Sequence, residues 1–251
     1  MDLKTASRIF FAVTVIAIGV VWLIGGGFAP LWRPVPEGAP ARDLLAYLSS
    51  VILAACGAGL LWRRTAAPAA LLLFLFASVW TLLFKFPFIV RDPLVEGSYQ
   101  ANGENWVLIA AAGVIYAELS KRHKPHSSSL GMRLAYLLYG LGLIAFGLSH
   151  FFYLDLTAPL VPKWLPGPVF WAYATGVIYT VCGLGLVFGF EPRLAAIGAA
   201  LNITLISVLV WVPMVVAGGL TDMHLQETVV SWVLTASAWV LASGLRPDSR
   251  A

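Results

Sequence analysis

The sequence predicts an all-α integral membrane protein: eight transmembrane helices, arranged as two parallel four-helix repeats with both termini cytoplasmic. Three observations predict it. Hydrophobic residues make up 60% of the chain and charged ones 11%, with a mean hydropathy of +0.86. That leaves too little polar surface to cover a soluble globule, so lipid must be the main solvent. Apolar runs of the length that crosses roughly 30 Å of hydrocarbon recur along the whole chain. The two halves also resemble each other at a fixed offset.

The runs lie near 7–27, 44–62, 68–90, 105–119, 132–153, 169–189, 194–216 and 227–244. None alternates with period two, which excludes a barrel, so each is a helix that satisfies its own backbone. The first follows Lys4 and Arg8 and could pass for a signal peptide. Its counterpart in the second half is internal, so it is expected to stay uncleaved. The fourth run is the shortest. Before the fifth lies Lys121-Arg122-His123-Lys124-Pro125-His126 and three serines, which reads as a solvated connector. The expected organisation is a first repeat over 1–120, a linker over 121–130 and a second repeat over 131–251.

Shifted by 126, residues 46–90 meet 172–216 with 14 identities in 45 positions and no gap, against roughly four by chance for so apolar a chain. Among them Cys56-Gly57 falls on Cys182-Gly183, and Pro87 on Pro213. Only the first helix slips, by two residues, bringing Ile16-Ala17 and Gly19 onto Ile144-Ala145 and Gly147. This is the signature of a tandem duplication. An even number of spans per unit makes the repeats parallel.

With the N-terminus inside, eleven of the sixteen Lys and Arg residues lie on the inner segments, and eight of the twelve acids lie outside. The bias follows the positive-inside rule and assigns the chain to an inner, or cell, membrane. The sequence pI near 9.2 therefore reflects topology and not nucleic-acid binding.

His150 ends the fifth helix in Gly147-Leu148-Ser149-His150-Phe151-Phe152-Tyr153-Leu154-Asp155. A histidine there can bond a quinone carbonyl, or simply cap a helix C-terminus. Trp22 takes its place in the first half, so the position is specialised. Around His150, Trp22 and Trp171 are expected to stack on a ligand, with Tyr153 and Asp155 tuning the ring. Asn202, where the first half has Phe76, needs a polar partner or a cavity at mid-depth. Glu96, Glu104, Asp222 and His224 form an expected acidic patch in the outer loops, without the spacing of a metal site. Lys85 reads as snorkelling to the interface. Cys56 and Cys182 serve close packing or form a thiol pair. No phosphate loop, dinucleotide fingerprint, nucleophile elbow or zinc motif occurs, so catalysis is left open.

Gly140-Leu141, Gly147, Gly176-Val177, Cys182-Gly183-Leu184-Gly185-Leu186 and the turn Gly189-Phe190-Glu191-Pro192-Arg193-Leu194-Ala195-Ala196 resemble the DoxX family of four-helix membrane proteins, which includes DoxD-like and MauE-like members. Gly57, Gly59-Leu60, Arg64 and Ala69-Ala70 carry the likeness into the first half. Where the family commonly has a lysine after the first helix's glycine, this chain has His150. The resemblance implies a quinone- or lipophile-binding subunit beside a membrane redox system, with redox subunits and membrane lipid as partners. Two other readings stand beside it. One is a carrier or flippase for a small neutral or lipidic substrate, using Ser78, Thr81, Thr204, Ser207 and Asn202. The other is a structural anchor for a peripheral partner docking on 121–124 or on the outer acids.

Overall fold

The structure is a computed structural model that describes residues 1–120, 130–218 and 221–245. The linker expected at 121–130 falls almost wholly outside the described residues. Among the described residues there are eight long helices: α1 Leu3–Gly25, α2 Arg42–Leu61, α3 Ala66–Arg91, α4 Glu96–Leu119, α5 Leu130–Phe152, α6 Pro168–Phe188, α7 Pro192–Ala217 and α8 Asp222–Gly244. No strand occurs among the described residues. Seven of the eight are long and apolar enough to cross a membrane; α4 is the exception.

Local chemistry sets the helix ends. The carboxylate of Asp2 caps α1 by accepting from the Thr5 amide at 2.8 Å, and its bonds to Thr5 hold it below its usual pKa. The Thr221 hydroxyl caps α8. Pro168 and Pro192 begin their helices where a missing N–H costs nothing. Gly189 adopts a left-handed conformation to end α6.

Pro87 and Pro213 lie within α3 and α7, and each widens the turn before it into a π-helix, Thr81–Lys85 and Ser207–Trp211. A proline cannot donate to the preceding turn and its ring crowds that carbonyl, so one extra residue is accommodated. The two π-turns lie 126 residues apart. The starts of α2, α3 and α4 likewise recur at α6, α7 and α8 with the same offset.

Consecutive helices pack in order, α1 on α2 on α3 on α4 and α5 on α6 on α7 on α8. The closing contacts are crossed: α1 packs on α8, α5 packs on α4, and α4 and α8 pack on each other. Two five-membered rings therefore share α4 and α8 as a common wall. Glycines bring the outer pairs close. A Cβ on Gly147 would stand 2.8 Å from the Gly176 carbonyl and 2.9 Å from the Thr180 amide; on Gly19 it would meet the Ser50 carbonyl and the Ala54 amide. Gly57 faces the Ile16 amide and Ala12 carbonyl as Gly183 faces those of Ile144 and Gly140. The same backbone atoms meet in both halves, with the two-residue slip of the first helix.

The shared wall explains why α4 is not apolar. Val107–Ala112, Val114 and Ile115 are all buried, and 67% of the α8 window is buried against 28% for α6 and α7. A helix surrounded by protein need not partition into lipid by itself. The fourth helix, expected to begin at 105, therefore begins at Glu96. Its first turns carry Asn102, which donates to the Lys85 carbonyl at 3.0 Å, and Asn105, which donates to the Thr81 hydroxyl at 3.0 Å. Both bonds hold the π-turn of α3.

Candidate functional site

A cavity of about 410 Å³ occupies one end of the second ring. Each of its five helices contributes to the wall: Gln100 and Glu104 from α4, His150 from α5, Trp171 and Tyr179 from α6, Asn202 and Trp211 from α7, Glu227 from α8. Leu160, Val161, Trp164 and Leu165 of the α5–α6 loop close the end. On the flank between α6 and α7, the lining residues Trp171, Ile178, Leu205 and Leu209 are also exposed on the surface. There the cavity meets the exterior.

At the matched place the first ring is packed with aromatic side chains. Trp32 and Trp80 fill it, with ring centroids 5.4 Å apart, packed by Phe28, Phe76 and Phe84. The Trp80 indole N–H donates to the Trp32 carbonyl at 3.0 Å. At the 126 offset, Phe76, Trp80 and Phe84 become Asn202, Ile206 and Val210, all three on the cavity wall. The slipped first helix exchanges Trp22 for His150. The 3₁₀ turn Pro30–Trp32 recurs as Ala158–Leu160, so Leu160 stands for Trp32. Losing four large rings at matched places opens the second ring.

The polar groups on the wall are placed by their neighbours. His150 Nδ1 lies 2.8 Å from the Phe146 carbonyl. A carbonyl only accepts, so Nδ1 carries a proton and Nε2 is the ring nitrogen left for another partner. The ring leans on Tyr179 at a centroid distance of 5.8 Å. The Asn202 amide nitrogen has no partner among the described residues, nor has the indole N–H of Trp211. Ser207, which begins the π-turn beside them, shares a hydrogen bond of 2.7 Å with Thr235.

Glu104 is held from behind. Lys85 Nζ lies 3.3 Å from Glu104 Oε2 and donates to the Ala101 carbonyl at 2.7 Å. Lys85 is 0% exposed, so the expected snorkelling lysine is corrected. The π-turn aims it inward at α4, where it forms an ion pair at the back of the cavity. A cation from the first ring thus fixes a carboxylate on the wall of the second.

The site residues expected from sequence divide between cavity and elsewhere. His150, Trp171, Asn202 and Glu104 line the cavity. Trp22 is buried on α1, in the other ring. Tyr153 turns away, its hydroxyl accepting from the Gly97 amide at the start of α4 at 3.1 Å, and Asp155 lies exposed in the turn Leu154–Thr157. The expected outer acids take different places. Glu96 is buried in the first turn of α4, Glu104 faces the cavity, and Asp222 and His224 sit in the first turn of α8. Among the described residues no three of His, Cys, Asp and Glu are grouped to hold a metal. Cys56 and Cys182 are free thiols, and neither lines the cavity. Sequence reasoning missed Tyr179, Trp211 and Glu227. The available signal was at Trp211, which replaces Lys85 in the repeat alignment and shares its buried place.

No curated protein and no solved structure matches the chain. Residues 131–212, which supply α5, α6 and most of α7, match the DoxX family model, and over that stretch the chain is DoxX-like.

Proposed function

We propose that this is a DoxX-like protein of two tandem repeats, with eight membrane-spanning helices, whose second half has been hollowed to hold a lipophilic ligand with a polar head. The contrast between the two rings carries the reading. At matched positions the first ring has Trp32, Phe76, Trp80 and Phe84 where the second has Leu160, Asn202, Ile206 and Val210. Large-to-small changes in a core leave a void that costs stability unless something occupies it. The wall is apolar with a few polar groups, as in sites for small molecules. Entry from the bilayer between α6 and α7 suits a lipid-soluble occupant.

A quinone head group fits this donor and acceptor set in both its oxidised and reduced forms. A quinone oxygen would accept from Trp211 or Asn202, and in the reduced form a hydroxyl would donate to His150 Nε2 or Glu227. Association with a membrane redox system rests on the DoxX likeness. The end carrying Lys4, Arg8, Arg63 and Arg133 is assigned to the cytoplasm by the positive-inside rule. The described N-terminal and C-terminal residues both reach that end, which favours the inner membrane with both termini inside.

The test is ligand retention after purification in a mild detergent, together with equilibrium dialysis against ubiquinone-1. Wild type should retain a lipophile and bind ubiquinone-1, and Ile206→Trp should lose at least about tenfold in affinity. Equal binding by both proteins would overturn the assignment.

A further inference from the structure

We infer that the cavity is the outer end of a translocation path through the second ring, closed in its middle by a plug of aromatic and aliphatic side chains. The inference rests on the ligand-binding reading of the cavity and gives it a direction.

Three voids follow one another along the second ring, two within it and the third at its mouth. The cavity is the first. A small void of about 10 Å³ lies next, walled by Tyr139, Leu143, Phe146, Tyr179, Leu234 and Ala238 among others. The third is a vestibule of about 850 Å³ at the opposite end, where Thr5, Ser7 and Arg8 of α1 join the helices of the second ring in its wall. Every helix that lines all three visits them in the same spatial order. Along α5 the vestibule takes Met132–Leu137, the middle void Tyr139 to Phe146, and the cavity Phe146 to His150. On α8 the cavity takes Glu227 to Leu234, the middle void Leu234 and Ala238, and the vestibule Val240 to Leu245. On α4 Glu104 lines the cavity, Val107 the middle void and Ile115 the vestibule. Phe146, Tyr179, Ile203 and Leu234 belong to both of the first two voids, so these differ only by a side-chain constriction.

The plug carries a second sign. Tyr139 is 1% exposed and its hydroxyl has no partner among the described residues. Burying a hydroxyl unbonded is unfavourable, and it would be satisfied if water or ligand entered the void. The void's walls carry no formal charge, so an ion would lose its hydration there without compensation. The path therefore suits a small uncharged amphipathic molecule. The vestibule is different: Lys4 pairs with Glu118, Arg8 donates to the Leu60 carbonyl, and Arg63 and Arg133 complete a basic mouth.

The experiment is sided thiol labelling in proteoliposomes with the small uncharged reagent methyl methanethiosulfonate on one face and the impermeant scavenger glutathione on the other, in a Cys56→Ala, Cys182→Ala background. Thr175→Cys reports the cavity, Leu137→Cys the vestibule, and Ala238→Cys the plug. Ala77→Cys, fully buried in the filled first ring, is the control. The path requires Ala238→Cys to react from both faces, about 10- to 1,000-fold more slowly than the two mouths, as for a minor open state. Adding Tyr139→Ala should raise that rate about tenfold, while Ala77→Cys stays unlabelled. An Ala238→Cys that is inert from either face, with or without Tyr139→Ala, would overturn the path. If Ile206→Trp still abolishes ubiquinone-1 binding in that case, the binding reading survives alone. If Ala238→Cys reacts from both faces while wild type holds no ligand, the path survives and the binding reading falls.

Discussion

The Trp80 indole donates to the Trp32 carbonyl at 3.0 Å and lies 5.4 Å from its ring, joining α3 to a turn that descends between α4 and α8. The second half keeps the helices of this arrangement and lacks its side chains. At this place one ring is therefore filled and the other hollow, although their backbones meet through the same glycines.

Trp80→Ala should make the first ring resemble the second. Removing a buried indole costs about 3–5 kcal/mol. A fall in thermal midpoint, together with new binding of a small apolar probe, would show that the ring was held shut by this side chain. An unchanged midpoint would mean that Trp80 is not a filler.

Ile206→Trp should do the reverse. Filling the void is expected to raise stability by about 1 kcal/mol if the larger ring fits without strain. Thermal unfolding of ligand-free protein in detergent checks this, and destabilisation would show that the two rings differ in backbone shape as well.

The Lys85–Glu104 pair gives a double-mutant cycle. Lys85→Met or Glu104→Gln alone strands a buried partner, at about 3–5 kcal/mol. The double variant should cost clearly less than the sum, since it removes both charges. Additive losses would mean that the two groups do not interact across the shared wall.

Gly147→Ala and Gly19→Ala should be alike. Each new methyl would meet a carbonyl and an amide of the neighbouring helix at under 3 Å, and overpacking of this kind costs about 1–3 kcal/mol. Matched losses in thermal midpoint support equivalent interfaces. A marked difference would count against treating the halves as one unit written twice.

Helix number and most boundaries were legible because lipid-facing helices must be apolar along their length. The start of α4 was not, since hydropathy reports contact with lipid and this helix touches mainly protein. Lys85 was misplaced for a related reason. Counting residues from the centre of the span gave its depth, but the π-turn ahead of Pro87 decided which way it pointed. His150, Asn202 and Trp171 were found by asking where the halves differ in polarity. Tyr179 and Ile206 are not exceptional residues. What makes them cavity walls is the absence of a ring opposite, which only packing reveals. Trp22 was grouped with His150 because the two are equivalent in sequence, and equivalence puts them in different rings.

The polar first turns of α4 bear on how the protein is made. Emerging after α3, a segment carrying Glu96, Gln100, Asn102, Glu104 and Asn105 gains little by entering hydrocarbon unaccompanied. It can leave the translocon as a hairpin with α3, the ammonium of one helix cancelling the carboxylate of the other. Its remaining flank stays unprotected until α5 and α8 have been synthesised and dock. On the proposed eight-span arrangement, completion of the second half is thus what makes α4 tenable in a bilayer.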